Sequence, residues 1–275
     1  MIEGVIDSSD FSSYFDQKII PSNELEDEVS NTTISYTYCV ILSSTIFHPQ
    51  GGGQPSDVGD LIIELKEEEE DVRCQIIIVK TYQDVILHFI SSPTPLLSNN
   101  NEGGGGDVLF GCKVTMSLNS EVRCEHAKLH SGGHLLDSAF NSIGFSSQTL
   151  VPKKGYHFPD GPYVEYKGNI PAEEREGVIK MLEERVNEMV EEASQTENFL
   201  LKASQIQTDF PELSLPSPID LEQELRVVII GGCACLCGGT HVNNSGDIGK
   251  MKIKGFRKKK QYLRVSYELV VAERN

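Results

Sequence analysis

Apolar residues in the first third of the chain come in short runs: TTISYTYCVIL, VGDLIIEL, VRCQIIIV, QDVILHFI and DVLFGCKVTM. They are rich in β-branched and aromatic residues and are separated by polar or Gly-containing turns, the pattern of strands. Several strands at this spacing predict a small barrel. No helix is needed before about Glu121. The acidic run Glu67 to Asp71 reads as a solvated hairpin turn, and SNNNEGGGGD, from Ser98 to Asp107, as a flexible loop, because the strand pattern resumes after it.

From Val122 to Ile143 the period changes. Leu129, Gly133, Leu136, Phe140 and Ile143 recur every three or four residues, which predicts an amphipathic helix with His130 and His134 on an adjoining stripe. Gly132 and Gly133 each cost such a helix about 1 kcal/mol relative to Ala. A bare backbone there must therefore gain something, in close packing or in access. Pro171 to Ala193 predicts a second helix, with Pro in its first turn and Val178, Leu182, Val186, Met189 and Val190 on one side. After a Pro-rich connector, Phe210 to Pro218, strand patterns return in ELRVVIIGG, IGKMKIKGF and QYLRVSYELVV. The whole reads as α+β: a β-barrel domain over residues 1–117, then an α/β domain over residues 118–275.

Composition narrows the class. With 275 residues, 39% apolar content and no Trp, two modest cores are expected sooner than one large one. The start, MIEGVIDSSDFSSYF, has neither a basic nor an apolar leader region, and no run of 18 apolar residues occurs, so a soluble, cytosolic protein is expected. Seven cysteines, an odd number without a leader, argue for reduced thiols and at least one metal ligand.

The net charge of −17 hides a concentration of the opposite sign. Between Lys250 and Arg264 lie eight of the chain's 24 basic residues and no acid, among them Arg257, Lys258, Lys259 and Lys260. Such a stripe can neutralise backbone phosphates while the acidic remainder repels other polyanions. The alternative is a lysine-protected hairpin edge.

The candidate chemistry lies in two short motifs. HSGGH places His130 and His134 one helical turn apart on one face, within reach of a single metal ion. CGGTH adds Cys237 and His241 about a hundred residues later, with glycines that suit a tight loop. Three imidazoles and a thiolate are a typical Zn²⁺ set. Cys233, Cys235 and Cys237 alternate, so an extended strand turns all three the same way. Spacing leaves the choice among them open, and the pairing with His241 favours Cys237.

FHPQGGGQPSDVG (Phe47 to Gly59), HSGGHLLDSAF (130 to 140), KGYHFPDGPYVEYKG (154 to 168) and CGGTHVNNSGDIGKMKIKG (237 to 255) together resemble the AlaX-type alanyl-tRNA editing proteins, free-standing relatives of the editing domain of alanyl-tRNA synthetase. The resemblance runs in order from about residue 35. It implies an N-terminal β-barrel followed by an editing domain of the threonyl/alanyl-tRNA synthetase second-additional-domain type, with one Zn²⁺ on His130, His134, Cys237 and His241. It implies hydrolysis of the ester joining serine, or in some members glycine, to tRNA for alanine. The expected partner is mischarged tRNA(Ala), with neither membrane nor DNA.

Within that reading, Ser146, Ser147, Gln148 and Thr149 offer polar groups just beyond the zinc helix, and the family's hydroxyl-sensing threonine most resembles Thr149. The Gly51, Gly52, Gly53, Gln54 loop is expected beside the active site, touching the acceptor end. Arg257, Lys258, Lys259 and Lys260 are expected on the tRNA backbone. His157 and Glu165 are possible proton handlers, with structural hydrogen bonding the stronger expectation. The chain stops at Asn275 without the extension of longer family members, so tRNA choice is expected to rest on the two domains. A non-catalytic tRNA-binding module with a closed structural zinc is the rival from another class. A synthetase fragment would need aminoacylation motifs for which 275 residues leave no room.

Overall fold

The computed structural model describes residues 2–7, 24–27, 32–35, 38–65, 70–94, 96, 111–146 and 149–270. Ser147, Gln148, the Ser98–Asp107 loop and most of the acidic run lie outside them. The chain divides into two units, Met1–Gly51 with Pro55–Arg123, and Gly52–Gln54 with Cys124–Asn275.

In the first unit, strands β1 (Ile2–Asp7), β4 (Tyr38–Leu42), β5 (Gly59–Ile63), β6 (Val72–Tyr82), β7 (Val85–Ser91) and β8 (Val114–Leu118) form one antiparallel sheet in the order β1-β4-β7-β6-β5-β8. Strands β2 (Glu24–Asp27) and β3 (Thr32–Ser35) pair with each other. No ladder joins β1 to β8 among the described residues, so the expected barrel is not closed there. Alternate residues of the strands, Leu61, Ile63, Cys74 and Ile76 among them, fill a core with Phe47.

Within this unit both flanks of the glycine-rich passage are pinned to β6. The Gln50 N–H donates to the Val79 carbonyl at 2.8 Å, and the Val79 N–H donates to Ser56 Oγ at 3.1 Å. The adjacent Asp57 carboxylate is fully buried, accepts the His48 N–H, and is neutralised by an ion pair with Arg123. Without Arg123 that charge would be left in the core uncompensated, an arrangement that costs several kcal/mol.

The second unit is built on helix α1 (Ser120–Ser142), whose predicted face is buried at Leu129, Gly133, Leu136 and Phe140. A four-stranded antiparallel sheet runs β14 (Met251–Lys259), β15 (Tyr262–Leu269), β10 (Tyr163–Lys167), β9 (Val151–Tyr156). A three-stranded one runs β11 (Glu197–Lys202), β12 (Glu224–Ile230), β13 (Cys233–Leu236). Helix α2 (Arg175–Glu192) buries Val178, Leu182, Val186 and Met189 as its period predicts. It starts later than Pro171 because Pro171 to Glu174 close a turn first, Glu174 N–H to Pro171 O at 3.1 Å. A short helix α3 (Ala203–Asp209) follows β11.

Candidate metal centre

Helix α1 and strand β13 meet as two matched periodicities. Cys233 Sγ lies 3.1 Å from Asn141 Nδ2, Cys235 Sγ 3.4 Å from His134 Nδ1, and Cys237 Sγ 3.4 Å from His130 Nε2. Every second residue of the extended chain thus faces a position further along the helix, by about one turn and then about two. All three thiols share one side, as the alternation requires.

Only one of them joins the two helix histidines and His241. The donor atoms of His130, His134, Cys237 and His241 lie within 4.8 Å of one another. The Cys237 to His130 separation of 3.4 Å is close to the edge, about 3.5 Å, of a tetrahedron with Zn–N and Zn–S bonds of ordinary length. Cys235 packs instead against His134 and the Val228 carbonyl.

Gln54, Thr240 and Arg226 hold the ligands, the first from the loop expected beside the site. Gln54, fully buried, accepts at Oε1 from His130 Nδ1 at 2.7 Å and from the Thr240 N–H at 2.9 Å, and donates from Nε2 to Thr240 Oγ1 at 2.8 Å. With Nδ1 protonated toward Gln54, His130 presents Nε2 as a lone pair, the outer-shell arrangement of metal-binding imidazoles. The Gln54 amide is thus consumed inside the unit, while Gly51 and Gly52 are exposed. Arg226 donates to the carbonyls of Cys237 (3.1 Å) and Gly239 (2.6 Å) and clamps the CGGTH loop.

His157 explains one of the helix glycines. Its ring stacks on His130 with centroids 4.6 Å apart, and a Cβ at Gly133 or Gly155 would overlap it. Its Nδ1 donates to Tyr267 Oη at 2.8 Å, and that hydroxyl donates to the Leu129 carbonyl at 2.7 Å. Gly132 makes room in turn for Met251 and Tyr267. Burial depresses the His157 pKa to about 3, so the ring is a neutral wall and not a proton carrier near neutrality. Glu165 is paired with Arg264 at 2.8 Å.

Burial, then the nearby Arg226 charge, lowers the His134 pKa to about 4, keeping the ring in its ligating, neutral form. Burial pushes the Cys237 thiol up, while the Gly239 N–H, 3.4 Å from the sulfur, and the Arg226 guanidinium pull it back toward thiolate.

Thr149 does not join this cluster. Its hydroxyl donates to the Ser146 carbonyl at 2.9 Å, and it stands before β9, whose far end leads into His157. Six residues of extended chain span about 20 Å. The family-derived sensing role for Thr149 stays a proposal. The threonine lines a surface hollow with Lys167, Lys258 and Lys260 instead.

The basic stripe is a hairpin edge. Lys252 and Lys254 point out of β14 as Met251 and Ile253 point in, and Lys260 forms the turn with φ of 55°. Arg264 is taken by Glu165 and covers the Tyr163 ring, and Lys254 pairs with Glu268. Arg257, Lys258, Lys259 and Lys260 are exposed and have no ion-pair partner among the described residues.

Residues 225–266, which include Cys237, His241 and the hairpin, match the Threonyl and Alanyl tRNA synthetase second additional domain. The chain is 29% identical over 220 residues, 78% of its length, to the alanine–tRNA ligase of Caldivirga maquilingensis. It is 27% identical over 245 residues to that of Bdellovibrio bacteriovorus. The matched stretch is 22% and 24% of those ligases, so the chain spans under a quarter of the relatives it matches. Among the described residues no helix is long and apolar enough to cross a membrane. These findings make the chain similar, over most of its length, to part of the alanine–tRNA ligases, and with the second-additional-domain match at residues 225–266 they support the AlaX-like resemblance.

Proposed function

We propose that the chain is a zinc-dependent aminoacyl-tRNA deacylase that hydrolyses mischarged tRNA(Ala), chiefly the seryl and secondarily the glycyl ester. The observation that carries this is the convergence of His130, His134, Cys237 and His241, the last two of which lie in the stretch matching the threonyl and alanyl tRNA synthetase second additional domain. The donor set fits zinc by chemistry, and one of its separations, Cys237 to His130, has the length of a tetrahedral edge. A bound zinc would supply Lewis acidity at the ester or its attacking water. The chain's own residues orient and shield: Gln54 fixes the tautomer of His130, Arg226 holds the Cys237 loop, and His157 walls off one side. A synthetase pocket built for alanine cannot strongly reject glycine by size or serine by one hydroxyl, which is why a second, hydrolytic site is needed.

Purified protein should release serine from seryl-tRNA(Ala) much faster than alanine from alanyl-tRNA(Ala), and a chelator should abolish this. Cys237→Ala should remove one zinc per chain and most activity, whereas Cys235→Ala should keep its metal. A zinc-loaded protein that binds tRNA without releasing serine would instead be a structural module. Metal retained in Cys237→Ala and lost in Cys235→Ala would reverse the ligand choice.

The exposed Arg257, Lys258, Lys259 and Lys260 are the residues proposed for the tRNA backbone, with Gly51, Gly52 and Gly53 as the backbone surface nearest the acceptor end. Replacing Lys258, Lys259 and Lys260 by Gln should weaken binding about equally for every charged form and flatten its salt dependence by roughly one logarithmic unit of slope per lost phosphate contact. Equal slopes for wild type and variant would leave the hairpin as a solubilising edge only.

A further inference from the structure

A cavity of about 520 Å³ lies in the second unit, and the proposed reaction does not yet use it. Asp137, Phe140 and Asn141 of α1, Tyr166 of β10 and Cys233 and Cys235 of β13 form its walls. Cys235 also touches His134, so a single thiol links the cavity wall to a ligand of the candidate metal centre. The wall carries a single deep carboxyl. Asp137 makes one hydrogen bond among the described residues, accepting from Tyr166 Oη at 2.6 Å, and no cationic side chain pairs with it there. Its remaining acceptor capacity is turned to the cavity it lines. Lys153 and Glu212, also on the lining, are exposed at the rim.

A buried carboxylate with only a neutral partner is costly unless a cation arrives to match it. Resting on the deacylase reading, we propose that Asp137, held by Tyr166, binds the α-ammonium group of the aminoacyl ester and so restricts the site to esters of amino acids with a free amine. The geometry fits. Asp137 and His134 are three residues apart on one helix face, which sets their Cβ atoms about 5 to 6 Å apart. The ammonium nitrogen of an amino acid is about 2.5 Å from its ester carbon, and a charge-assisted bond to carboxylate spans about 2.8 Å. An ammonium on Asp137 thus leaves the ester carbon next to the histidine cluster. The apolar neighbours Phe140, Phe145 and Leu150 bound the rest of the cavity and keep the pair shielded.

The test compares seryl-tRNA(Ala) with the same tRNA after nitrous acid treatment, which replaces the ammonium by a hydroxyl and leaves the ester in place. Rates are divided by the spontaneous hydrolysis of each ester. Wild type should favour the ammonium form by about 10²-fold in kcat/KM. Asp137→Asn should lose about 10²-fold on the seryl ester, mainly through KM, and less than threefold on the deaminated one, with zinc content unchanged. Tyr166→Phe, which keeps the carboxyl, should lose less than tenfold and stay selective for the amine. Equal treatment of both esters by wild type, or equal losses in Asp137→Asn, overturns the proposal. The comparison in wild type needs no variant to fold. Failure of the deacylase reading looks different, since neither ester is then hydrolysed, and it takes this inference with it.

Discussion

Adding one methyl group at Gly239 should cost the protein its metal. A Cβ at this position would overlap Cε1 and Nδ1 of His130 and stand 2.9 Å from Gln54 Oε1, the atom that orients that ring. Either His130 swings away or the Cys237–His241 loop lifts, and both routes take donors off a site that tolerates errors of only about 0.2 Å. Zinc affinity in Gly239→Ala should fall by about 10²-fold or more, the upper end for damage to an outer shell, with overpacking adding about 1 to 3 kcal/mol of instability. The control is its neighbour. A Cβ at Gly238 meets nothing within 4 Å, so Gly238→Ala should bind zinc like wild type. Competition titrations against a chromogenic chelator would compare the two, and equal affinities would mean that the loop is not packed on His130 as described.

Periodicity made the ligand helix legible because burial selects one face, and α1 and α2 fall where the apolar residues recur. The thiol alternation was equally readable, since strand period alone turns Cys233, Cys235 and Cys237 one way. The strands β9 and β11 were not. VPKKGY and ENFLLK are largely exposed on their edges, carry Lys, Gly or Pro, and lack the buried side that produces alternation. Gln54 illustrates a different limit. It sits 76 residues before His130 in a motif that looks like an open loop, and only tertiary structure turns its amide inward. His157 had the same problem in reverse, because the signal for its slot is the absence of side chains at Gly133 and Gly155. Thr149 was chosen by family likeness alone, and its one side-chain hydrogen bond among the described residues, to the Ser146 carbonyl, is local.

Asp137 should make the protein less stable as pH rises through neutrality, and Asp137→Asn should remove that slope. Burial raises its carboxyl from an ordinary 3.8 to about 7, although the Tyr166 hydroxyl opposes the shift. The folded state therefore keeps a proton that the unfolded chain has released between about pH 4 and 7. Where the folded form binds more protons, stability falls with rising pH, so this group's penalty is absent below about pH 4 and complete above about pH 7. The size implied is about 4 kcal/mol, a large fraction of a typical domain's stability. Tyr166 on β10, Tyr267 on β15 and Cys235 on β13 face the carboxyl and titrate above this window, whereas the depressed imidazoles of His134 and His157 give the opposite slope up to about pH 6.5, so the Asp137 contribution is read from the difference between wild type and Asp137→Asn. Zinc on the nearby ligands would favour the carboxylate and shrink the effect, which should be largest after chelation. Urea midpoints at pH 5 and pH 8 would show it: between them wild type should fall behind Asp137→Asn, which should be the more stable protein at pH 8. Parallel changes in both proteins would mean that the carboxyl ionises freely in the fold. A variant that gains stability while losing seryl ester hydrolysis would show a destabilising charge kept for its ligand, the trade expected of a binding group and not of a structural one.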